Sequence, residues 1–223
     1  MPVIDEIREQ HEIVKQKGFK YKFQYFMDYY SKPTLAGIIV IAVLIAIIHT
    51  FVTAKATRFE ALLINASSAP DPVAFGKILE LNEKKEEVVF DFNYYLNPDP
   101  DNIDNVTYTN SQKIMAVIAA KTGDVMIAPE SILTRYLDGG VMADLSGVFT
   151  SYELEEMGDA VIWWSVTDSD TGEKAEPLPL AIDITKAPGL EGCFATDEPI
   201  WFGALINSQH IEDIPKLYDY LNK

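Results

Sequence analysis

One uncharged apolar segment constrains this chain more than any other feature. Residues 35–52 read LAGIIVIAVLIAIIHTFV, a run of 18 residues with no formal charge. A helix needs ~20 apolar residues to cross the hydrocarbon core of a bilayer, whereas strands rarely exceed about 10 residues. The run also lacks the polar face that a surface helix of a soluble protein presents to water. It therefore predicts a transmembrane helix over residues 35–54.

The charges on either side of this segment predict its orientation. Lysines precede it at positions 15, 17, 20, 22 and 32, whereas only Lys55 and Arg58 follow closely. Positive flanks stay in the cytoplasm, so we expect residues 1–34 to form a cytoplasmic tail. A short amphipathic helix is predicted before Gly18, as a spacer at the membrane or a docking helix. Residues 55–223 are then extracytoplasmic. The protein is expected to be a single-pass protein of the cell membrane that contacts the lipid bilayer through residues 35–54.

A cleaved signal peptide is the alternative interpretation of the same segment. Ala54 and Ala56 flank Lys55 in an A-x-A arrangement directly after the apolar run, which is typical of a cleavage site after Ala56. However, 34 residues precede the run, far more than the charged region of a usual signal peptide. We therefore expect the helix to be retained as an anchor.

Composition limits what the outer region can be. Residues 53–223 carry 12 Lys and Arg against 29 Asp and Glu, so all of the net charge of −16 lies there. This acidity argues against nucleic acid as a partner, because phosphate backbones require clustered cations. The single cysteine, Cys193, excludes an intrachain disulfide. The domain must therefore be held together by its hydrophobic core.

Hydrophobic patterns predict an α/β domain. We predict strands at 59–65, 88–96, 124–128 and 201–207, and an antiparallel hairpin from 160–166 and 178–184. Helices are predicted at 73–87, from Thr109 to Lys121, from Pro129 to Gly139, near 152–157 and near 211–221. Because strands alternate with helices through the first half, we expect βαβ units and a mostly parallel sheet.

Two stretches of this pattern carry a family resemblance. Residues 111–145 read SQKIMAVIAAKTGDVMIAPESILTRYLDGGVMADL, and residues 199–221 read PIWFGALINSQHIEDIPKLYDYL. The order of helix, GDVMI strand, helix, glycine turn and Asp-Leu resembles bacterial type II extracellular solute-binding proteins. The closing segment is similar to the late strand and helix of that family. The resemblance implies a periplasmic-binding-protein type II-like lobe.

The chain departs from that family in length. About 55 residues separate the Asp-Leu turn from the closing strand, too few for a second lobe, and no lipid-anchoring cysteine lies near the membrane segment. We therefore expect a truncated, membrane-anchored relative with one lobe only. Without a second lobe, closure around a small solute is not expected.

Candidate ligand-binding residues follow from the expected topology. Ligands of α/β sheets bind at the carboxyl ends of parallel strands. The loops there contain Asn65, Ser67, Ser68, Glu130 and Ser131, and the aromatic side chain of Trp201 could stack on a ligand or simply fill the core. The amides at the start of the helix at 130 could bind an anion, or the serines could simply cap helices.

Catalytic chemistry is poorly supplied. The sequence has no P-loop, GxSxG, HExxH or GxGxxG motif, and its three histidines lie far apart. We therefore predict no catalytic residues, no metal site, no cofactor and no enzyme activity. The aspartates at 99, 101 and 104 are better interpreted as a solvated turn than as a calcium loop. The expected function is a non-catalytic binding or scaffolding module with an envelope or transporter protein as partner; the alternative is the solute receptor of a transporter or sensor system.

Overall fold

The computed structural model describes residues 18–29, 31–167 and 174–223 of the chain. It divides into two compact units, Met1–Ala54 and Lys55–Lys223. The predicted tail helix before Gly18 and the tip of the hairpin at 168–173 lie outside the described residues.

The described part of the first unit, residues 18–29 and 31–54, contains two helices, α1 (Phe19–Tyr29) and α2 (Ser31–Thr53). Pro33 lies in the first turn of α2, where its missing N–H breaks no helical hydrogen bond. Within α2, the segment Ser31–Thr50 is long and apolar enough to cross a membrane, and none of it is buried in the structure. A signal sequence near the N-terminus would meet the same criteria, so the orientation and the retention of the anchor stay predictions.

The second unit alternates strands and helices, as the sequence predicts. Its strands are β1 (Ala56–Ile64), β2 (Glu86–Tyr94), β3 (Val125–Pro129), β4 (Val161–Trp164), β5 (Leu178–Asp183) and β6 (Ile200–Ala204). Its α-helices are α3 (Pro72–Ile78), α4 (Asn105–Ala120), α5 (Glu130–Asp138), α6 (Ser151–Met157) and α7 (Ile214–Leu221). The α/β class and the antiparallel hairpin of β4 and β5 are thus confirmed.

The six strands form one mixed sheet in the order β2-β1-β3-β6-β5-β4. β1 is parallel to β2 and β3, but β6 is antiparallel to both β3 and β5. The expectation of a mostly parallel sheet is therefore wrong for half of the sheet. The reason is the position of β6: it follows the β4–β5 hairpin in sequence but lies between β3 and β5 in the sheet, antiparallel to both.

Two hydrophobic cores lie on opposite faces of the sheet. Alternate residues of β1 point to each face, with Phe59 and Leu63 in one core and Leu62 and Ile64 in the other. The first core packs against α3, α6 and α7, and the second packs against α4 and α5. The period-2 alternation of the strands thus produces three layers, helices–sheet–helices.

Two predicted helix boundaries are wrong. The predicted helix at 73–87 ends at Ile78, because Glu80 adopts φ +55° and the chain turns before β2. Glu86 and Glu87 then pair with Ala56 and Thr57 of β1. Glutamate is a good helix former, but sheet pairing takes precedence over that propensity here.

The helix predicted from Thr109 begins four residues earlier. The Thr107 N–H donates to the Asp104 carboxylate at 2.6 Å, so Asp104 is the N-cap of α4. The predicted end is confirmed, with Lys121 in the left-handed conformation.

Candidate functional site

The carboxyl ends of β1, β2 and β3 meet loops from both halves of the chain. We call this region the carboxyl end of the sheet; it comprises residues 65–68, 95–100, 130–135 and 184–200. Ile200 at the start of antiparallel β6 pairs with Pro129 at the end of β3. The segment before β6 therefore lies beside the loops that follow the parallel strands.

Asn65, the first predicted ligand-binding residue, joins two strand ends. Its backbone has φ +62°, in the left-handed region that Asn tolerates better than most residues. The side chain accepts a hydrogen bond from the Leu96 N–H at 2.7 Å and donates to the Leu96 carbonyl at 2.8 Å. Asn65 therefore acts as a bridge between the ends of β1 and β2.

Ser67 and Ser68 tie the β1 loop to a segment far along the chain. The Ser67 N–H and hydroxyl both donate to the Cys193 carbonyl, at 2.8 and 3.1 Å. The Ser68 hydroxyl lies 3.4 Å from the Gly192 carbonyl. The interpretation that the serines cap helices is wrong here, because Asp71 is the N-cap of α3 and Pro129 that of α5.

Glu130 and Ser131 open α5 and line a surface groove of about 490 Å³. The groove is also lined by Pro98, Pro100, Thr134, Arg135 and Glu198. The Glu130 N–H donates to the Pro199 carbonyl at 2.9 Å, and the Ser131 N–H donates to the Glu198 carboxylate at 3.2 Å. Glu198 thus already occupies the position at the helix start that an external anion would take.

One polar atom in this groove has no partner. The hydroxyl oxygen of Ser131 is buried and forms no hydrogen bond with any described residue. Arg135 is engaged, since its guanidinium donates to the carbonyls of Asn97 and Pro98. The groove therefore presents two carboxylates, which suit a ligand rich in hydrogen-bond donors, such as hydroxyls or amines, while the Ser131 hydroxyl beside them is buried without a partner among the described residues.

Trp201 does not join this groove. It is 6% exposed and packs in the core against α4 and α5, although it is adjacent in sequence to Ile200 at the carboxyl end. The structure thus brings Glu130 and Ser131 together with Glu198, keeps Asn65, Ser67 and Ser68 in a neighbouring hydrogen-bonded loop, and separates Trp201 from both. Binding of a ligand by any of them stays a prediction.

Sequence reasoning missed a polar cluster at the opposite, amino end of the sheet. Asp124, just before β3, is 1% exposed and accepts from the Glu60 N–H at 2.9 Å and the Ser208 hydroxyl at 2.7 Å. His210 places its Nδ1 at 3.1 Å from the same carboxylate. Ser208 and His210 thus contact Asp124 although they lie 84 and 86 positions away from it in the sequence. No local sequence pattern indicates such a contact.

The cluster contains Ser, His and Asp, but its geometry is not that of a nucleophilic triad. A triad requires the serine hydroxyl on the imidazole and the carboxylate behind the ring. Here the Ser208 hydroxyl donates to Asp124, and it accepts from the backbone N–H of His210 at 3.1 Å. The serine and the imidazole therefore both hold Asp124 in place.

Burial controls the acid–base behaviour of this amino end. It raises the pKa of Asp124 above its ordinary value, opposed by hydrogen bonds from the Glu60 amide and Ser208. The pKa of Glu60 is also raised, first by burial and then by repulsion from Asp91 and Asp124. An ion pair joins the neighbouring sequence positions: the guanidinium of Arg58, two residues before Glu60, lies 3.0 Å from the carboxylate of the buried Asp213.

Metal ligands do not converge in the described part of the chain. No group of three His, Cys, Asp or Glu side chains there could hold a metal ion. In the Asp-rich loop, Asp99 accepts from the Asp101 N–H at 3.0 Å, and Asp104 caps α4. These carboxylates thus order the loop itself, as expected of a solvated turn.

Comparison of the chain with protein-family models, with curated proteins and with solved structures gives no significant match in any of the three.

Proposed function

We propose that this chain is a single-pass, membrane-anchored, non-catalytic binding module that presents one α/β lobe on the extracytoplasmic side of the cell membrane. The observation that carries the proposal is the groove at the carboxyl end of the sheet. It is open to solvent, it lies where α/β folds bind ligands, and it is lined by Glu130, Glu198 and Ser131, whose buried hydroxyl has no partner among the described residues. The lysine asymmetry around α2 supports the N-terminus-inside orientation.

The arrangement of Ser208, His210 and Asp124 favours binding over catalysis. The polar groups that could form a nucleophile and a base instead hold each other at the amino end. A relationship to one lobe of a type II solute-binding protein remains part of the proposal and rests on the sequence resemblance.

The second candidate is a solute receptor in which the β4–β5 hairpin replaces the missing lobe. The observation in its favour is Trp163, which is 59% exposed on β4 and could stack on a solute. However, β4 and β5 continue the sheet beyond β6 and do not stand opposite the groove. A binding surface on a single lobe, without a second lobe opposite it, therefore fits the geometry better.

A ligand screen on the fragment 55–223 tests the proposal. Sugars, amino acids, peptides and amines are added at millimolar concentration, and the thermal unfolding is followed. A ligand of micromolar affinity should stabilise the fragment by roughly 4 kcal/mol. Ser131→Ala and Glu130→Gln should abolish that shift, whereas Trp163→Ala should leave it intact.

The same screen separates the candidates. A shift with a small solute that requires Trp163 would favour the solute receptor. A shift that neither groove variant alters would contradict the proposed groove. Orientation is tested separately, by protease added to spheroplasts: it should remove a C-terminal tag and spare an N-terminal one.

A further inference from the structure

A second groove lies on the other helical face of the domain, between α6 and α7. It has a volume of about 330 Å³ and is lined by Phe149, Glu153, Glu156, Met157, Tyr218 and Asp219, with Pro215 at its side. None of these residues lines the groove at the carboxyl end. The two grooves are therefore separate surfaces.

Two aromatic side chains, Phe149 and Tyr218, line this groove and pack against each other. Phe149 is buried, and its ring meets Tyr218 edge to face with centroids 5.6 Å apart. Tyr218 in turn contacts the fully buried Phe202 of β6 at 6.2 Å. Such rings present a negative face to cations, and their packing against the sheet fixes their orientation.

The walls are acidic and come from both helices. Glu153 and Glu156 lie on α6, and Asp219 lies on α7. Glu153 accepts from Thr150 in the capping box, but Glu156 and Asp219 form no hydrogen bond or ion pair with any described residue. Burial, Asp219 and Glu156 together raise the pKa of Tyr218, which places carboxylates of both helices around one ring. No cation of the described chain lines the groove.

We propose that the groove between α6 and α7 receives a lysine or arginine side chain from a basic segment of a partner protein. The aliphatic stem of that side chain would pack on Met157 and Tyr218, and its charged head would meet Glu156 and Asp219. This inference rests on the proposed role as a binding module and specifies the chemistry of one partner.

Charge complementarity selects this occupant over the others. Anionic lipid headgroups and nucleic acids are repelled by the acidic walls. A second copy of the chain carries the same net charge of −16 and is repelled as a whole. A metal ion lacks the three converging ligands among the described residues.

The experiment uses the full chain in neutral detergent micelles and a fluorescent peptide in which three arginines alternate with Gly-Ser spacers. Its control peptide carries citrulline in place of arginine, which keeps the shape and removes the charge. Binding is followed by fluorescence anisotropy. The test variant is Glu156→Gln with Asp219→Asn. The charge-matched control is Glu155→Gln with Glu80→Gln, two exposed carboxylates outside both grooves.

We expect the test variant to weaken binding of the arginine peptide about tenfold, as for two partly exposed ion pairs, and the control to weaken it less than about twofold. The citrulline peptide should not bind.

Two outcomes would contradict the proposal. Equal loss of affinity in both variants would show that net charge alone attracts the peptide, and no binding of the arginine peptide to the unmodified chain would also overturn the proposal. If the double variant unfolds, Glu156→Gln alone decides, because this exposed side chain forms no hydrogen bond. None of these variants touches the carboxyl-end groove, so the ligand screen described above can succeed or fail independently.

Discussion

The two ends of the sheet solve the burial of polar groups in different ways. At the carboxyl end, Asn65, Ser67 and Ser68 are neutral and hydrogen-bond mainly to backbone carbonyls and amides of other loops. At the amino end, the acidic side chains Asp124 and Asp213 are almost fully buried, and side chains from distant parts of the chain hold them. Buried charges are expensive to leave unpaired, whereas neutral groups tolerate partial satisfaction.

The polar groups at the amino end therefore contribute mainly to stability, whereas the carboxyl end contains the groove that we propose as the binding surface. The amino end concentrates interactions whose loss would leave a charge or an amide unpaired in the interior. At the carboxyl end, the Ser131 hydroxyl has no partner among the described residues and a groove is open to solvent. We therefore expect substitutions at the amino end to affect unfolding most, and substitutions at the groove to affect it least.

The largest expected effect is at Asp124. Asp124→Ala removes the acceptor of the Glu60 amide, the Ser208 hydroxyl and the His210 ring. Losing the partners of several buried groups should lower the free energy of unfolding by about 3 kcal/mol. Urea denaturation of fragment 55–223 measures it, and Asp197→Ala at an exposed position should change stability by less than about 0.5 kcal/mol. Equal effects of the two variants would remove the contrast between the ends of the sheet.

A smaller effect is expected at Asn65, at the carboxyl end. Asn65→Ala loses both bonds to Leu96 and places alanine at φ +62°, which together should cost about 2 kcal/mol. Asn65→Gly also loses the bonds but adopts this backbone freely, so it should be less destabilising than alanine. If glycine is as damaging as alanine, the hydrogen bonds carry the whole effect and the left-handed backbone carries none.

The sequence predicts the carboxyl end better than the amino end, for a physical reason. Asn65 and Ser131 follow strands that local hydrophobicity reveals, and the end of a parallel strand is a rule of the fold class. The meeting of Asp124 with Ser208 and His210 depends on β6 lying antiparallel beside β3. The β4–β5 hairpin lies between β3 and β6 in the sequence. Hydrophobic patterns indicate which segments form strands but not which strands lie beside each other in the sheet.

Burial of individual side chains is equally hard to read from sequence. Trp201 alternates with Ile200 and Phe202 in a strand whose residues are all buried. Since both faces of this sheet are covered by helices, period 2 distinguishes one core from the other and not inside from outside. Of the two interpretations of Trp201, stacking on a ligand requires an exposed face that the three-layer arrangement does not leave, and filling the core is the one that the structure confirms.

The amino end should also make stability depend on pH through Glu60. Because the pKa of Glu60 is raised in the folded domain, the folded state binds more protons than the unfolded state from pH 4.5 up to the raised pKa. The free energy of unfolding should therefore fall as the pH rises through that window. Glu60→Gln removes this contribution, so its stability should fall less than that of the unmodified domain, while Glu155→Gln should leave the dependence unchanged. Parallel curves for Glu60→Gln and the unmodified domain would place the dependence elsewhere.

The smallest expected effect on stability is at Ser131, and its sign is informative. The Ser131 hydroxyl is buried without a partner among the described residues, so the folded domain loses its hydration and gains no hydrogen bond in return. Ser131→Ala should therefore leave the free energy of unfolding unchanged or raise it by up to about 1 kcal/mol, because removing an unsatisfied polar group relieves its desolvation. Ser67→Ala is the matched control, because its hydroxyl donates to the Cys193 carbonyl and its removal should lower stability by about 1 kcal/mol. Chemical denaturation of both variants in the same fragment measures the difference. Destabilisation by Ser131→Ala would mean that the hydroxyl is satisfied in solution, and the groove would then lose the free polar group on which its proposed binding role depends.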